Sequence, residues 1–243
     1  MTMKFVVEQK TLKAMAYFMA TKDIRYYLQG MKIEFTPHFT RAVATNGHVL
    51  GMRQEKRKGD NEGTGDLIIP NDVVAAICKI SSLYKGAEMG VSITATDVSG
   101  EWSYQTYGDA PITFKAVDGQ FPNYQQILSR VPDLNESETA ATYNPNYLKA
   151  IYDAARTING LAKDKTPNFQ VRQNSLYAAV FTDGDLFALI MPEKQASIEA
   201  YPEWAMRSVK EQEASIALSE WAWANGPRPA PEKARREQVA IAA

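Results

Sequence analysis

The sequence has very few of the residues on which disulfide-bonded proteins and many enzymes depend. It contains one cysteine, Cys78, and two histidines, His38 and His48, among 243 residues. A single cysteine excludes an intrachain disulfide framework and is typical of a reducing compartment. None of the motifs HExxH, CxxC, GxxxxGK[ST], GxGxxG or GxSxG occurs. We therefore predict neither a metal site nor a cofactor.

The chain also lacks a charge excess and a long apolar run. Its 27 basic and 28 acidic side chains give a net charge of −1, so any contact with nucleic acid depends on local basic faces. No apolar run approaches the length of a membrane span, and the opening MTMKFVVEQK lacks the apolar core of a signal peptide. With 45% hydrophobic residues, the chain can bury a sizeable core. We predict a soluble, cytoplasmic protein.

The remaining candidates for acid–base chemistry favour a structural interpretation. Asp97, Asp109, Asp183 and Asp185 lie at predicted strand ends or turns, where aspartate is common because it hydrogen-bonds to nearby backbone groups. His48 lies beside a Gly turn, where histidine is more often a structural hydrogen-bonding group than a base, and no orienting partner accompanies it. We expect a non-catalytic protein.

One order of elements recurs three times along the chain: a strand, a helix and about three strands. The second helix is predicted to follow a cap at Asn71 or Asp72 and to stop at Gly86. The third has Asn144 as its cap and Pro145 at its first position, where a missing N–H costs nothing. The apolar stripes of these two helices are Val73, Ile77, Ile80 and Tyr84, and Leu148, Ile151, Ala155 and Ile158.

This order predicts an α+β fold in which repeated strand–helix–three-strand units place their helices on one face of antiparallel sheets. Exposed sheet edges invite association, so we expect the units to join edge to edge. Between the second and third units, the connector VDGQFPNYQQIL carries an unusual set of residues for a linker, since Phe121, Pro122 and Tyr124 lie within four positions.

Five segments together resemble a known family. They are DIRYYLQGMKIEF, VATNGHVLG, VDGQFPNYQQIL, NPNYLKAI and IMPEK, and their order is that of the bacterial DNA polymerase sliding clamp, the β subunit of DNA polymerase III. The first three resemble the middle domain and the connector leaving it, and the last two resemble the second half of the final domain. The resemblance covers roughly residues 3–194. It implies the DNA-clamp fold and a non-catalytic processivity factor of DNA replication, which forms a homo-oligomeric ring around duplex DNA without reading its sequence.

The resemblance also implies a domain organisation. Residues 1–117 are expected to form a clamp-like domain similar to the middle domain, and 118–136 the interdomain connector. Residues 137–194 would be a partial clamp-like domain similar to the second half of the final one. Residues 195–243 would be a C-terminal extension, first helical and then rich in proline and charge.

In the family, the connector forms one wall of a pocket that accepts a short peptide from polymerases and the clamp loader. Such a site needs an apolar, preformed cleft with a few polar groups, and Phe121 and Tyr124 would pin the connector against the sheet. Packing in the core and connector is the alternative interpretation. The residues implied for the pocket are Leu28, Thr45, Gly47, His48, Val49, Leu50, Pro122, Gln126, Ile127, Asn144, Tyr147, Ile190, Met191 and Pro192.

The resemblance further implies that the helices face DNA and supply modest positive charge to the phosphates. Ordinary solvated helix faces are an equally good interpretation of the same side chains. The residues implied for DNA binding are Lys10, Lys13, Lys79, Lys85, Lys149 and Arg156.

Several departures from the family pattern leave two questions to the structure: whether the chain forms a ring, and how. The chain is short, and three units are found where whole domains need an even number. At the pocket, Gln126 stands where the family has a basic or apolar residue. Glu193 stands where the family has an apolar residue. The extension would complete a fourth unit, so that three chains close a ring, or would fold over the pocket. The alternative function is a decoy or adaptor that binds clamp-motif peptides, or a host clamp, without encircling DNA.

Overall fold

The computed structural model describes residues 3–57, 59–80, 90–106, 108–130, 142–162, 165–174 and 178–193, together with Leu218. The chain forms two compact units, Met1–Gln195 and Ala196–Ala243. Leu218, which is exposed, is the one described residue of the second unit. The predictions for the extension 195–243 therefore lie outside the described residues, and the domain boundaries at 117, 136 and 194 stay predictions.

The repeated order of elements is confirmed for the first two units. The first unit comprises β1 (Lys4–Glu8), α1 (Gln9–Met15), β2 (Gly30–Phe35), β3 (Phe39–Thr45) and β4 (Val49–Lys56). Two 3-10 turns, Ala16–Phe18 and Tyr26–Gln29, lie between α1 and β2. The second unit comprises β5 (Gly65–Pro70), α2 (Asn71–Ile80), β6 (Gly90–Ala95), β7 (Glu101–Gln105) and β8 (Ile112–Lys115).

The connector and the third unit follow. The connector contains a short helix that was not predicted, α3 (Tyr124–Arg130), and the third unit comprises α4 (Pro145–Asn159), β9 (Gln170–Asn174), β10 (Ala178–Asp183) and β11 (Leu186–Ile190). The predicted opening strand of this unit falls largely outside the described residues, whose part of it forms one isolated bridge, between Thr142 and Glu193. The third unit is thus present with its helix and three strands.

Two antiparallel sheets carry these elements. The smaller sheet has the order β1-β6-β7-β8, and the larger has seven strands in the order β5-β2-β3-β4-β11-β10-β9. Strands β4 and β11 pair from Val49 opposite Ile190 to Arg53 opposite Leu186. The first and third units therefore share one continuous sheet, as expected for units that join edge to edge.

In the larger sheet, strands β3, β4, β5 and β11 bury side chains on both faces, because successive side chains of a strand point to opposite sides. The side chains on one face of the sheet pack with Met15, Phe18 and Ile151 of the helical elements in the main core. The sheet residues in this core include Ala42, Ala44, Val49, Leu67, Ile69, Ala188 and Ile190. The residues between them form a second cluster with the connector aromatics Phe121 and Tyr124; these are Val43, Leu50, Ile68 and Leu189. The helices thus pack on one face of this sheet and the connector on the other.

The helical stripes differ in detail from their predictions. In α2, the buried side chains are Val74 and Ile77, with Val73 and Ile80 only partly buried. Asn71 and Asp72 lie inside its first turn instead of before it, and Tyr84 and Gly86 fall outside the described residues. In α4, the prediction for Leu148 was wrong, because this residue is exposed while Ala154 is buried. No helix within the described ranges is long and apolar enough to cross a membrane.

Candidate functional site

The turn between β3 and β4 is fixed by its own side chains. The Asn46 side-chain oxygen accepts hydrogen bonds from the backbone N–H groups of His48 (3.0 Å) and Val49 (3.1 Å). The Thr45 hydroxyl accepts from the Gly47 N–H (3.0 Å) and donates to the Val49 carbonyl (2.8 Å). Gly47 has φ of 93°, a region that favours glycine. These bonds hold His48 exposed at the tip of the hairpin.

Arg25 lies directly against this turn. A Cβ built on Gly47 would meet the Arg25 Nη2 atom at 2.9 Å, so glycine also permits the close approach of the guanidinium. Asp23 holds Arg25 through two side-chain bonds, from Nε to Oδ1 (3.0 Å) and from Nη2 to Oδ2 (2.7 Å). The hydrogen bond from Arg25 lowers the pKa of Asp23 to about 2. This carboxylate therefore stays ionised and keeps Arg25 in place at ordinary pH.

The connector is attached to the sheet by its aromatic residues. Phe121 and Tyr124 are buried in the second cluster, and the Tyr124 hydroxyl donates to the Glu34 carboxylate at 2.7 Å. Burial, and then this hydrogen bond, raise the pKa of Tyr124. The Tyr26 hydroxyl donates to the Asp118 carbonyl at 2.9 Å. These contacts account for the aromatic residues of this linker, since they hold its backbone against the sheet.

The end of β11 meets the same turn from the third unit. The Met191 N–H donates to the His48 carbonyl at 2.9 Å, extending the pairing of β4 with β11 by one bond. The His48 ring stacks on Tyr147 of α4, with ring centroids 5.6 Å apart and an angle of 9° between the planes. His48 is therefore held from two sides by the third unit.

These four segments enclose a small cleft of about 210 Å³. Its buried wall is aliphatic, from Leu28, Val49, Leu50 and Leu189. The complete lining of this apolar cleft is Arg25, Leu28, Thr45, Gly47, His48, Val49, Leu50, Pro122, Tyr124, Ile127, Leu128, Leu189 and Met191. Ile127 and Met191 are 42% and 38% exposed, so apolar surface is presented at the mouth of the cleft.

The cleft contains nine of the residues that the resemblance implied for the pocket; these are Leu28, Thr45, Gly47, His48, Val49, Leu50, Pro122, Ile127 and Met191. The other five lie elsewhere. Asn144 caps α4 by accepting the Asn146 N–H at 2.9 Å, and Tyr147 stacks on the His48 ring without lining the cleft. Ile190 is buried in the main core, while Gln126 and Pro192 do not line the cleft.

Four lining residues were missed as pocket residues: Arg25, Tyr124, Leu128 and Leu189. The alternation of β11 was a usable signal for Leu189, since it points away from its core-facing neighbours Ala188 and Ile190. Arg25 has no comparable signal, because its position depends on contact with Gly47, which lies on another segment.

Five of the six basic residues implied for DNA binding lie on the helices, across the sheet from the cleft. Lys13 and Lys79 are exposed on α1 and α2. Lys10 pairs with Glu8 at 3.4 Å, and Lys149 pairs with Asp153 one turn along α4. Arg156 donates to the Ala162 carbonyl at 3.1 Å and lies over the Tyr152 ring. Lys85 falls outside the described residues.

Comparison with known proteins gives a consistent result. Residues 3–123 match the family model of the central domain of the DNA polymerase III beta subunit. The chain is 29% identical over 136 residues to a beta sliding clamp from Pseudomonas aeruginosa and 30% identical over 136 residues to one from Escherichia coli. Each match covers 54% of this chain and 35% of the relative. The chain thus matches about a third of the length of these relatives.

Solved structures extend the similarity beyond the matched sequence. A DNA polymerase sliding clamp from Pseudomonas aeruginosa superposes with a TM-score of 0.59 at 20% identity, covering 79% of this chain and 67% of that one. A DNA polymerase III beta subunit from Thermotoga maritima has a TM-score of 0.59 at 14% identity, covering 80% and 66%. At these identities the structures establish the clamp fold. The match to the central domain places residues 3–123, about half of the chain, in the DNA polymerase III beta subunit family.

Proposed function

We propose that this protein is a non-catalytic processivity factor that surrounds duplex DNA and tethers a polymerase through the apolar cleft. The observation that carries the proposal is the cleft itself, which lies in a clamp fold between the connector, the β3–β4 turn and the end of β11. Its partners would be short peptide segments of a polymerase and of a clamp loader in the cytoplasm.

The chemistry of the cleft favours a peptide with large apolar side chains. Leu28, Val49, Leu50 and Leu189 form a buried wall, and a volume of about 210 Å³ accommodates one or two such side chains. Arg25, Thr45 and His48 add a few polar groups at its edge. A small apolar anchor with a polar rim is the arrangement in which a few buried contacts supply most of the binding free energy.

The positions of the helices support the DNA-binding part of the proposal. Helices α1 and α4 pack against the face of the larger sheet opposite the connector, so DNA and a docked peptide would occupy opposite sides of the protein. Exposed Lys13 and Lys79 supply positive charge on the helical side. Encirclement holds DNA topologically, so weak, sequence-independent phosphate contacts are sufficient.

Solution mass and DNA topology together test this function. We expect light scattering to give a closed oligomer over a range of concentrations. We also expect the protein to stay on a nicked circular duplex and to leave after the circle is cut. A monomer that binds neither DNA form would contradict encirclement. If such a monomer still bound an apolar peptide, the chain would act as an adaptor or decoy.

A further inference from the structure

A second, larger cleft lies beside the apolar cleft and shares Pro122 and Tyr124 with it. It covers about 690 Å³ over β2 and β5, and the segment from Asp118 to Gln125 forms its other wall. We name it the polar cleft, because Lys32, Glu34, Asp66 and Asp118 line it. The connector, which borders both clefts, is held in place by the Tyr26 and Tyr124 hydroxyl bonds.

The charges of the polar cleft are unequal. Glu34, Asp66 and Asp118 carry three negative charges and Lys32 carries one positive charge, which leaves an excess of two negative charges in the lining. Lys32 lies between Glu34 Oε1 (3.5 Å) and Asp66 Oδ2 (3.2 Å). Glu34 also pairs with Arg41 at 3.4 Å. Arg41 therefore neutralises Glu34, and with Arg41 counted the excess around the cleft is one negative charge.

Asp66 and Asp118 are therefore the two carboxylates of this cleft that are available to bind a ligand. The Asp66 side chain is 59% exposed, and its partner, Lys32, also pairs with Glu34. The carboxylate of Asp118 has no ion pair among the described residues, while its backbone carbonyl accepts the Tyr26 hydroxyl. Such a cleft repels phosphate and favours a cation, above all a guanidinium, which makes charge-assisted hydrogen bonds to carboxylates.

We propose that the polar cleft binds a basic residue that flanks the apolar core of the docked peptide. This inference rests on the proposed peptide-binding function of the apolar cleft. Because Pro122 and Tyr124 border both clefts, an extended peptide that leaves the apolar cleft over Pro122 enters the polar cleft directly. The apolar cleft then supplies most of the affinity, and the polar cleft selects among peptides by their flanking charge.

Three fluorescein-labelled octapeptides test this selection on the full chain by fluorescence anisotropy at low salt. All share a central Leu-Phe pair in a serine background; one has no charge, one has arginine two positions before the pair and one has arginine two positions after it. We expect one arginine peptide to bind roughly fivefold more tightly than the uncharged one. Asp66→Asn with Asp118→Asn should abolish that gain and leave the uncharged peptide unaffected.

The matched control is Asp97→Asn with Asp185→Asn, which changes the net charge equally at exposed positions outside the cleft. The proposal would be overturned if neither arginine peptide bound more tightly than the uncharged peptide, or if both double variants reduced that increase in affinity equally. Either result would leave peptide docking intact. Failure of all three peptides to bind would instead overturn the docking function, and the role of the polar cleft with it.

Discussion

The Met191 backbone N–H donates a hydrogen bond to the His48 carbonyl at 2.9 Å. This bond joins the end of the third unit to the tip of the hairpin in the first unit, and it follows the register in which Val49 pairs with Ile190. Through it, the Met191 side chain reaches the mouth of a cleft to which Leu28, Val49 and Leu50, far away in sequence, contribute most of the wall. The site therefore depends on edge-to-edge pairing of two units.

Loss of the apolar mouth should weaken peptide binding without unfolding the protein. We expect the Ile127→Ala, Met191→Ala double variant to bind the Leu-Phe peptide at least tenfold more weakly, because buried apolar anchors carry most of the free energy of docking. Both side chains are partly exposed, so the melting temperature should change little. Leu148→Ala is the control, since Leu148 is 37% exposed and lies outside the cleft. Equal affinities for the double variant and the unmodified chain would exclude the cleft as the docking site.

Asn144 should contribute to stability and not to peptide affinity. Its side chain accepts the Asn146 N–H and caps α4. Removal of such a cap costs about 1 kcal/mol. We expect Asn144→Ala to lower the free energy of unfolding by about that amount in urea denaturation, and Asn144→Asp to restore most of it. A large loss of peptide affinity in Asn144→Ala, with unchanged stability, would assign this residue to the pocket instead.

Gly51 in β4 should not tolerate a methyl group. A Cβ built there would lie 2.1 Å from Cδ2 of Phe18, which is fully buried. We expect Gly51→Ala to destabilise the protein by about 1–3 kcal/mol, the usual cost of overpacking a core. The smaller side chain in Phe18→Leu should relieve the clash, so the double variant should be more stable than the sum of the two single effects predicts. Strictly additive effects would show that the two side chains do not collide.

Charge reversal on the helices should weaken DNA retention. We expect Lys13→Glu with Lys79→Glu to bind duplex DNA more weakly and to reduce the slope of log affinity against log salt by about 1 for each phosphate that is no longer neutralised. The control is Lys22→Glu with Lys115→Glu, which makes the same charge change at exposed positions outside the helices. Equal effects of the two pairs would mean that the helical lysines are simply solvated.

Tyr124 should make stability depend on pH in the alkaline range. Burial, and then the hydrogen bond to Glu34, raise its pKa above the unfolded value of about 10. The unfolded chain therefore releases this proton first, and stability falls as the pH rises above 10 towards the folded pKa. The stability of the Tyr124→Phe variant, measured by thermal melts, should fall less steeply over this pH range. A slope equal to that of the unmodified chain would show that Tyr124 does not ionise on unfolding.

Local sequence signals predicted the parts of this protein that depend on neighbouring residues. The repeated strand–helix–strand order, the cap at Asn144 and the turn from Thr45 to His48 rest on periodicity or on bonds within a few positions. The positions of two other residues, Leu148 and Ile190, depend on distant packing. Leu148 is apolar at helical spacing, but α4 turns Ala154 inward instead. Ile190 belongs to a matching motif, yet strand register buries it in the main core and leaves Met191 at the cleft.

The sequence by itself determined the class of fold, because alternation and caps encode it locally, and it indicated the family through the five segments that resemble it. The aromatic residues Phe121 and Tyr124 marked the connector in the same way. The resemblance implied nine residues of the apolar cleft, but only the tertiary structure decided its full lining and revealed the polar cleft. The apolar cleft requires β4 to pair with β11 and Arg25 to lie against Gly47. The polar cleft requires the connector to cross a sheet that carries Lys32 and Asp66 on neighbouring strands. Both clefts arise from contacts between segments that no local pattern relates.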